Sequence, residues 1–413
     1  MRRNILIYLP FILLLLANPF FAQDFSIKSL RVYSSIDELV FPLIDIQDET
    51  KNSITIEFDV DGRYEPNLNI VFKYCDSEWQ PYDNNFLKNP GYNTAYNLWF
   101  ERLPLNARGA SYNYKGKFPN QAVNFPFSGK WKFFIVDSQN EEKIFGEGKF
   151  FVVNPEVGLN VTLTRSRQEG LSPDIVSLGR TFDLRTSLIL PDSLFNTNLR
   201  KIEIFENRKF AYPIVINRFD NTSHKFFEWN GSNRFTFIAR SIRPGNEYRR
   251  ADIRDVGRFV YPNTNAQFDG IETSNMFKKL NRDWNGATLL MNYKNDNAEY
   301  LNVNFRIRPP ENITSPVFLV GSFNNWIVSP KYEMFDDNGL LNLTIELKRG
   351  VYEYQYVTVD FVNGNIENID WNILEGNFWE TDNEYHIFLF YESTDFGGYD
   401  KIIGYKRIKS GDL

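Results

Sequence analysis

Between Leu340 and Lys348 the chain alternates without a break: Leu341, Leu343, Ile345 and Leu347 are apolar, and Asn342, Thr344, Glu346 and Lys348 are polar. A period of two fits only an extended strand with one face buried and one solvated. Such a strand needs a second sheet to cover its apolar face. The flanking residues supply one. Val317–Val320 form a short apolar run that Gly321 ends, and Asp336, Asp337, Asn338 and Gly339 carry turn chemistry that predicts a hairpin. Gly350 permits a tight bend, after which Tyr352, Tyr354 and Tyr356 alternate with Val351, Glu353, Gln355 and Val357. Two strands sharing one core follow from this pattern.

The same period recurs along the chain. Ile54, Ile56, Phe58 and Val60 alternate, then Ile70, Phe72 and Tyr74, with Asp61-Gly62 and Pro66 between them. Trp131, Phe133 and Ile135 repeat the pattern, and so do Leu159, Val161 and Leu163, then Leu301, Val303, Phe305 and Ile307. Aromatic residues make up 16% of the chain, with 38 Phe and 22 Tyr, and these types suit a pleated, half-buried surface. No helical period of any length interrupts the middle of the chain. The expected class is all-β: three consecutive sandwiches of Ig-like or early-set size at residues 24–155, 156–296 and 297–413.

The chain opens with Met1, Arg2 and Arg3, then an apolar run from Ile5 to about Phe21, then Ala22 and polar Gln23. A positive start, an apolar centre and a small residue before the polar chain predict a signal peptide at residues 1–22. An uncleaved anchor is the alternative, although Pro10 and Pro19 and the short run disfavour a spanning helix. No other stretch is apolar enough to cross a membrane. Cys75 is the single cysteine, so no internal disulfide forms and an exported chain of this kind relies on packing. Net charge is −6, from 46 basic and 52 acidic residues, and gives no reason to expect nucleic acid.

Catalytic constellations are not expected. His224 and His386 lie far apart and lack partners at metal-ligand or triad spacing. Cys75 reads as a buried thiol, and no phosphate loop or calcium loop occurs, so no cofactor is expected. Arg249, Arg250 and Arg254 interleave with Glu247, Asp252 and Asp255, which predicts a salt-bridged strand face more than a polyanion patch.

Two resemblances follow from particular strings. Val317–Gly321, then Phe323-Asn324-Asn325-Trp326, then Gly350-x-Tyr352-x-Tyr354 resembles the glycogen- and starch-binding sandwich modules. That resemblance implies an early-set fold and marks Asn325, Trp326 and Trp371 as a residual glucan-type or contact surface. Gln355 replaces the lysine of the pattern and Trp371 follows a long polar insertion, so carbohydrate is not the expected ligand.

The second resemblance is wider. Tyr74-Cys75-Asp76-Ser77-Glu78-Trp79, Phe127-Ser128-Gly129-x-Trp131 and Phe150–Val157 resemble the N-terminal domain of the type IX secretion system plug protein family. Gly245-Asn246-Glu247-Tyr248-Arg249, Asp283-Trp284-Asn285-Gly286, Glu375–Tyr385 and Gly398–Gly404 resemble its later motifs in the same order. The resemblance implies a non-enzymatic periplasmic protein at the inner face of the outer membrane. Its implied partner is the large β-barrel translocon of that system, whose periplasmic end it closes. A secreted or periplasmic glucan-binding protein is the second reading, and an enzyme of another type the third.

Overall fold

In the computed structural model, which describes residues 25–168, 177–268, 270–294 and 297–412, strands pair into six sheets. The sheets enclose three separate hydrophobic cores. The expected signal peptide lies outside the described residues.

The first core sits between two sheets. One orders Phe25–Ser34, Ile54–Gly62, Tyr112–Phe118 and Glu101–Arg102; the other orders Leu43–Asp45, Ile144–Val153, Gly129–Asp137, Leu68–Cys75 and Thr94–Ala95. Their alternating side chains, among them Ile56, Phe58, Phe72, Trp131, Phe133 and Phe150, meet in the middle. At Gly148 a Cβ would come within 2.3 Å of the Phe133 ring, so only glycine lets that ring lie across the strand.

The third core contains the stretch with the clearest alternation. Leu340–Lys348 pairs with Tyr300–Arg308 in one sheet, and Gly350–Val362 is the spine of the facing sheet. The hairpin between Phe335–Asp337 and Leu340–Lys348 turns at Asn338 and Gly339, with φ of 54° and 79°. Positive φ at both positions matches the right-handed twist of the flanking strands. Leu341, Leu343, Ile345 and Leu347 point at Tyr352, Tyr354 and Tyr356 as the alternation requires.

The division of the chain differs from a linear series. Glu384–Ser393 and Tyr399–Lys409 do not join the third core; Glu384–Ser393 pairs with Leu199–Glu206, Ile202 opposite Leu389 and Ile204 opposite Ile387. Arg249–Asp252 and Thr288–Leu290, expected in the middle unit, pair with Gly350–Val362. The third sandwich is thus inserted between strands of the second. The boundary expected at 296/297 and the assignment of residues 384–409 to the third unit are corrected by this pairing. The reason is physical: alternation marks a strand and its faces, but not its partner. Glu384–Ser393 is also buried on both faces, with Tyr385, Ile387 and Leu389 in the second core and Phe388 and Phe390 in a separate cluster against the first sandwich.

Candidate functional site

Trp326 was expected at a surface, and the structure places it inside. Gly321–Val328 is a tight turn: the Asn324 side chain accepts from the Gly321 N–H at 2.9 Å, and the Trp326 N–H donates to the Gly321 carbonyl at 3.0 Å. Asn325 and Trp326 take φ of 53° and 61°. Two successive left-handed residues reverse the chain and turn the indole inward. Trp326 is 1% exposed. Its ring lies 4.1 Å from Tyr248, centroid to centroid, and its Nε1–H donates to the Gly286 carbonyl at 3.2 Å. Gly286 has φ of 84°, and a Cβ there would come within 2.9 Å of the indole nitrogen.

Of the other expected positions, Asn325 is exposed and Trp371 half-buried. Trp371 packs edge-on to Tyr212 at 5.2 Å, with the Lys209 ammonium 4.4 Å over its ring, while Gln355 donates to its carbonyl at 2.9 Å. Trp326 and Trp371 therefore belong to one apolar cluster, where they are packing between the second and third sandwiches. A sugar-stacking platform needs exposed ring faces, and Trp326 has none. The partners Tyr212 and Tyr248 escaped the sequence reading because they come from segments distant in the chain.

Buried charges fasten the sandwiches together. Lys130 of the first faces Glu203 of the second at 2.7 Å, and Lys348 of the third faces Asp59 of the first at 2.7 Å, with all four side chains nearly excluded from solvent. Tyr300 of the third also donates to Asp59 at 2.8 Å. Between second and third, Asn207 donates to the Tyr248 hydroxyl at 2.9 Å and to the Asn383 side chain at 2.8 Å. Each pair of sandwiches is thus joined by polar contacts that no solvent competes for.

The arginines of the third sandwich are paired as expected, but mostly with distant acids. Arg249 meets Glu272 at 2.9 Å and Glu375 at 2.8 Å, and Arg250 meets Glu353 at 2.8 Å. Close by, Glu353 accepts from the Trp284 and Gly286 N–H groups, and Asp283 accepts from the Asn285 N–H at 2.7 Å. Burial, with Glu353 and Glu247 as like-charged neighbours, pushes the Asp283 carboxyl up to about 8.

The residues weighed for catalysis sit apart. Burial pushes the Cys75 thiol up to about 12, which removes the thiolate that a nucleophile needs. His386 is buried, stacked 3.8 Å from Phe41 with Nδ1 2.9 Å from the Tyr405 hydroxyl, whereas His224 is exposed. Among the described residues no group of three or more His, Cys, Asp or Glu is placed to hold a metal ion.

One surface of the first sandwich stands out. The segment after Asn89 runs along the edge of Leu68–Cys75: Thr94 and Ala95 pair with Val71 and Ile70, and the Leu98 N–H donates to Leu68. Ala95, Leu98 and Phe100 turn inward, leaving Tyr92, Tyr96 and Trp99 outside; Trp99 is 76% exposed. Of the five exposed aromatic rings in residues 27–154, four lie between Phe86 and Trp99.

These features define an all-β protein of three interlocked sandwiches whose buried polar groups fasten one sandwich to the next and whose first sandwich presents an aromatic edge. Residues 27–154, which carry that edge, match the family model of the type 9 secretion system plug protein first domain. The fold is similar to the crystal structure of a hypothetical protein from Parabacteroides merdae, with a TM-score of 0.74 at 20% identity over 93% of this chain and 97% of that one. A structure of a bacterial ice-binding adhesin matches at a TM-score of 0.14 and 9% identity, covering 91% of this chain and 94% of that chain, too low to inform the fold. No curated protein matches the chain. Over its first sandwich, then, the chain is similar to the first domain of the type 9 secretion system plug proteins.

Proposed function

We propose that this chain is a periplasmic plug that closes the periplasmic end of the type IX translocon barrel in the outer membrane. The family match of residues 27–154 carries the reading. The interlocked fold supports it, because a closure must hold a fixed surface against a wide aqueous pore. Buried ion pairs between sandwiches resist the relative motion that would open a gap. The aromatic edge at Phe86–Trp99 is the contact we assign to the barrel, since aromatic rings are enriched in interface centres and this edge lies in the matched segment.

The glucan-binding reading has no specific observation in its favour, because the ring it depends on is buried. The direct test is an affinity pull-down from detergent-solubilised outer membrane with wild type and Trp99→Ser. The plug reading expects the translocon barrel with the first and much less with the second. No recovery with either counts against it, and equal recovery with both moves the contact away from Trp99.

A further inference from the structure

The two sheets of the first sandwich carry opposite kinds of charge row. On one, Arg31, Glu57 and Lys115 stand directly opposite one another on adjacent strands, so the signs alternate, and Glu57 meets both cations, at 2.9 Å and 3.7 Å. On the other, Lys149, Lys132 and Lys73 face one another in the same way across Ile144–Val153, Gly129–Asp137 and Leu68–Cys75. All three point away from the core, which their chain neighbours Phe72, Tyr74, Trp131, Phe133 and Phe150 fill. None of the three makes an ion pair among the described residues. The acids of this region are occupied or set aside: Asp83 is held by Lys88, Glu78 by Lys201, and the Asp76 carboxylate accepts from the Glu78 and Gln80 N–H groups. Glu147 is exposed and stands opposite Phe134, one position further along the same face.

Like charges directly opposite across a sheet destabilise it. Burial, with the Lys132 ammonium beside it, lowers the Lys149 ammonium. Lys73 is exposed and its ammonium lies 5.2 Å from the Phe134 ring; Lys132 and Lys149 are half-buried, and the Lys149 ammonium lies 5.1 Å from the ring of Trp79. The chain as a whole carries −6, so its attraction for an anion is local to such a row. The row also adjoins the aromatic edge, because Lys73 lies on the strand that pairs with Thr94 and Ala95.

We propose that Lys73, Lys132 and Lys149 receive an acidic, Asp- or Glu-rich polypeptide segment of the partner that the aromatic edge contacts. That this partner is the translocon barrel rests on the plug reading; the acidic chemistry does not. A polypeptide suits the place better than a lipid headgroup. Lys149 lies beside Trp79, which packs with Phe205 and Phe390 of the second sandwich, and a chain segment reaches that corner where a flat bilayer does not. The division of labour is physical: charges at the rim act on association, and the aromatic rings act on dissociation.

The test compares the whole mature chain with a variant carrying Lys73→Gln and Lys132→Gln, which removes like-charge repulsion and should stay folded. Hexaglutamate, followed by fluorescence anisotropy at low salt, should bind the wild type in a saturable way and the variant about fivefold more weakly. Vesicles containing phosphatidylglycerol should bind neither. On purified barrel the variant should associate about tenfold more slowly at low salt, with dissociation unchanged and the difference lost at high salt. No binding of hexaglutamate, equal binding by both chains, or lysine-dependent binding of the vesicles in its place overturns the proposal. A wild type that binds hexaglutamate through these lysines but not the barrel would sink the plug reading and leave the acidic specificity standing.

Discussion

The Lys130 ammonium and the Glu203 carboxylate lie 2.7 Å apart, each side chain 1% exposed, and they belong to different sandwiches. The contact is an attraction of charges more than an aligned hydrogen bond, since that Glu203 oxygen has no donor in good geometry. Lys201 reaches the other Glu203 oxygen at 3.0 Å and Glu78 of the first sandwich at 2.5 Å. Four alternating charges thus stitch the junction, surrounded by Trp79, Phe205 and Phe390.

Glu203→Gln should therefore be severe. It leaves two ammonium groups buried side by side, and breaking a buried pair costs about 3–5 kcal/mol. Glu78→Gln touches a side chain that is 75% exposed and should cost less than about 1 kcal/mol. Lys130→Met with Glu203→Leu removes both central charges and should recover most of the loss. Urea midpoints of the three variants separate these outcomes; equal effects of Glu203→Gln and Glu78→Gln would show that the junction does not exclude water.

Asp283 gives the protein a pH dependence of known sign. Burial, with the like charges of Glu353 and Glu247 beside it, pushes its folded carboxyl up to about 8, above the ordinary value of about 3.9, so the folded state holds a proton that the unfolded chain releases. The stabilisation is complete below about pH 4 and is lost as pH rises through 8. Asp283→Asn cannot release that proton. Between about pH 6 and pH 9 its thermal midpoint should fall less than that of wild type, and parallel curves would contradict the assignment.

Trp326 separates structure from sugar recognition. Trp326→Ala should destabilise by about 3–5 kcal/mol, because it empties the cluster around Tyr248. Gly286→Ala should act in the same direction through its positive φ and the indole beside it. Calorimetry of the wild type with a maltooligosaccharide should show no binding tighter than roughly millimolar. Binding that Trp326→Ala abolished without unfolding the chain would restore the glucan reading.

The alternating strands were legible because apolar and polar residues take turns along them: Ile54–Val60, Leu301–Ile307 and Leu341–Leu347 all declare a period of two, even where the polar face of Ile54–Val60 is itself buried at Thr55 and Asp59. The inserted order of the third sandwich was not, because pairing partners are set by contacts hundreds of residues apart, as between Lys201 and Phe390. Trp326 shows the limit at the candidate site. Phe323-Asn324-Asn325-Trp326 marks a turn correctly, but whether its ring meets solvent depends on Tyr248 from another part of the chain.

Trp99→Ser and Tyr96→Ser should leave stability nearly unchanged, since both rings are exposed. Binding to the barrel should weaken by about 2 kcal/mol or more for a central anchor, mostly through faster dissociation. Surface plasmon resonance on purified barrel reads both numbers, and unchanged dissociation in both variants would move the contact elsewhere.

Closure of a pore is measured most directly as uptake of a large antibiotic by cells lacking this chain, with and without the translocon barrel. Deletion is expected to make the outer membrane leaky while cargo export largely continues, and removal of the barrel as well to restore the barrier. Leakiness that persists unchanged without the barrel would contradict it, because a plug without its pore has nothing to close.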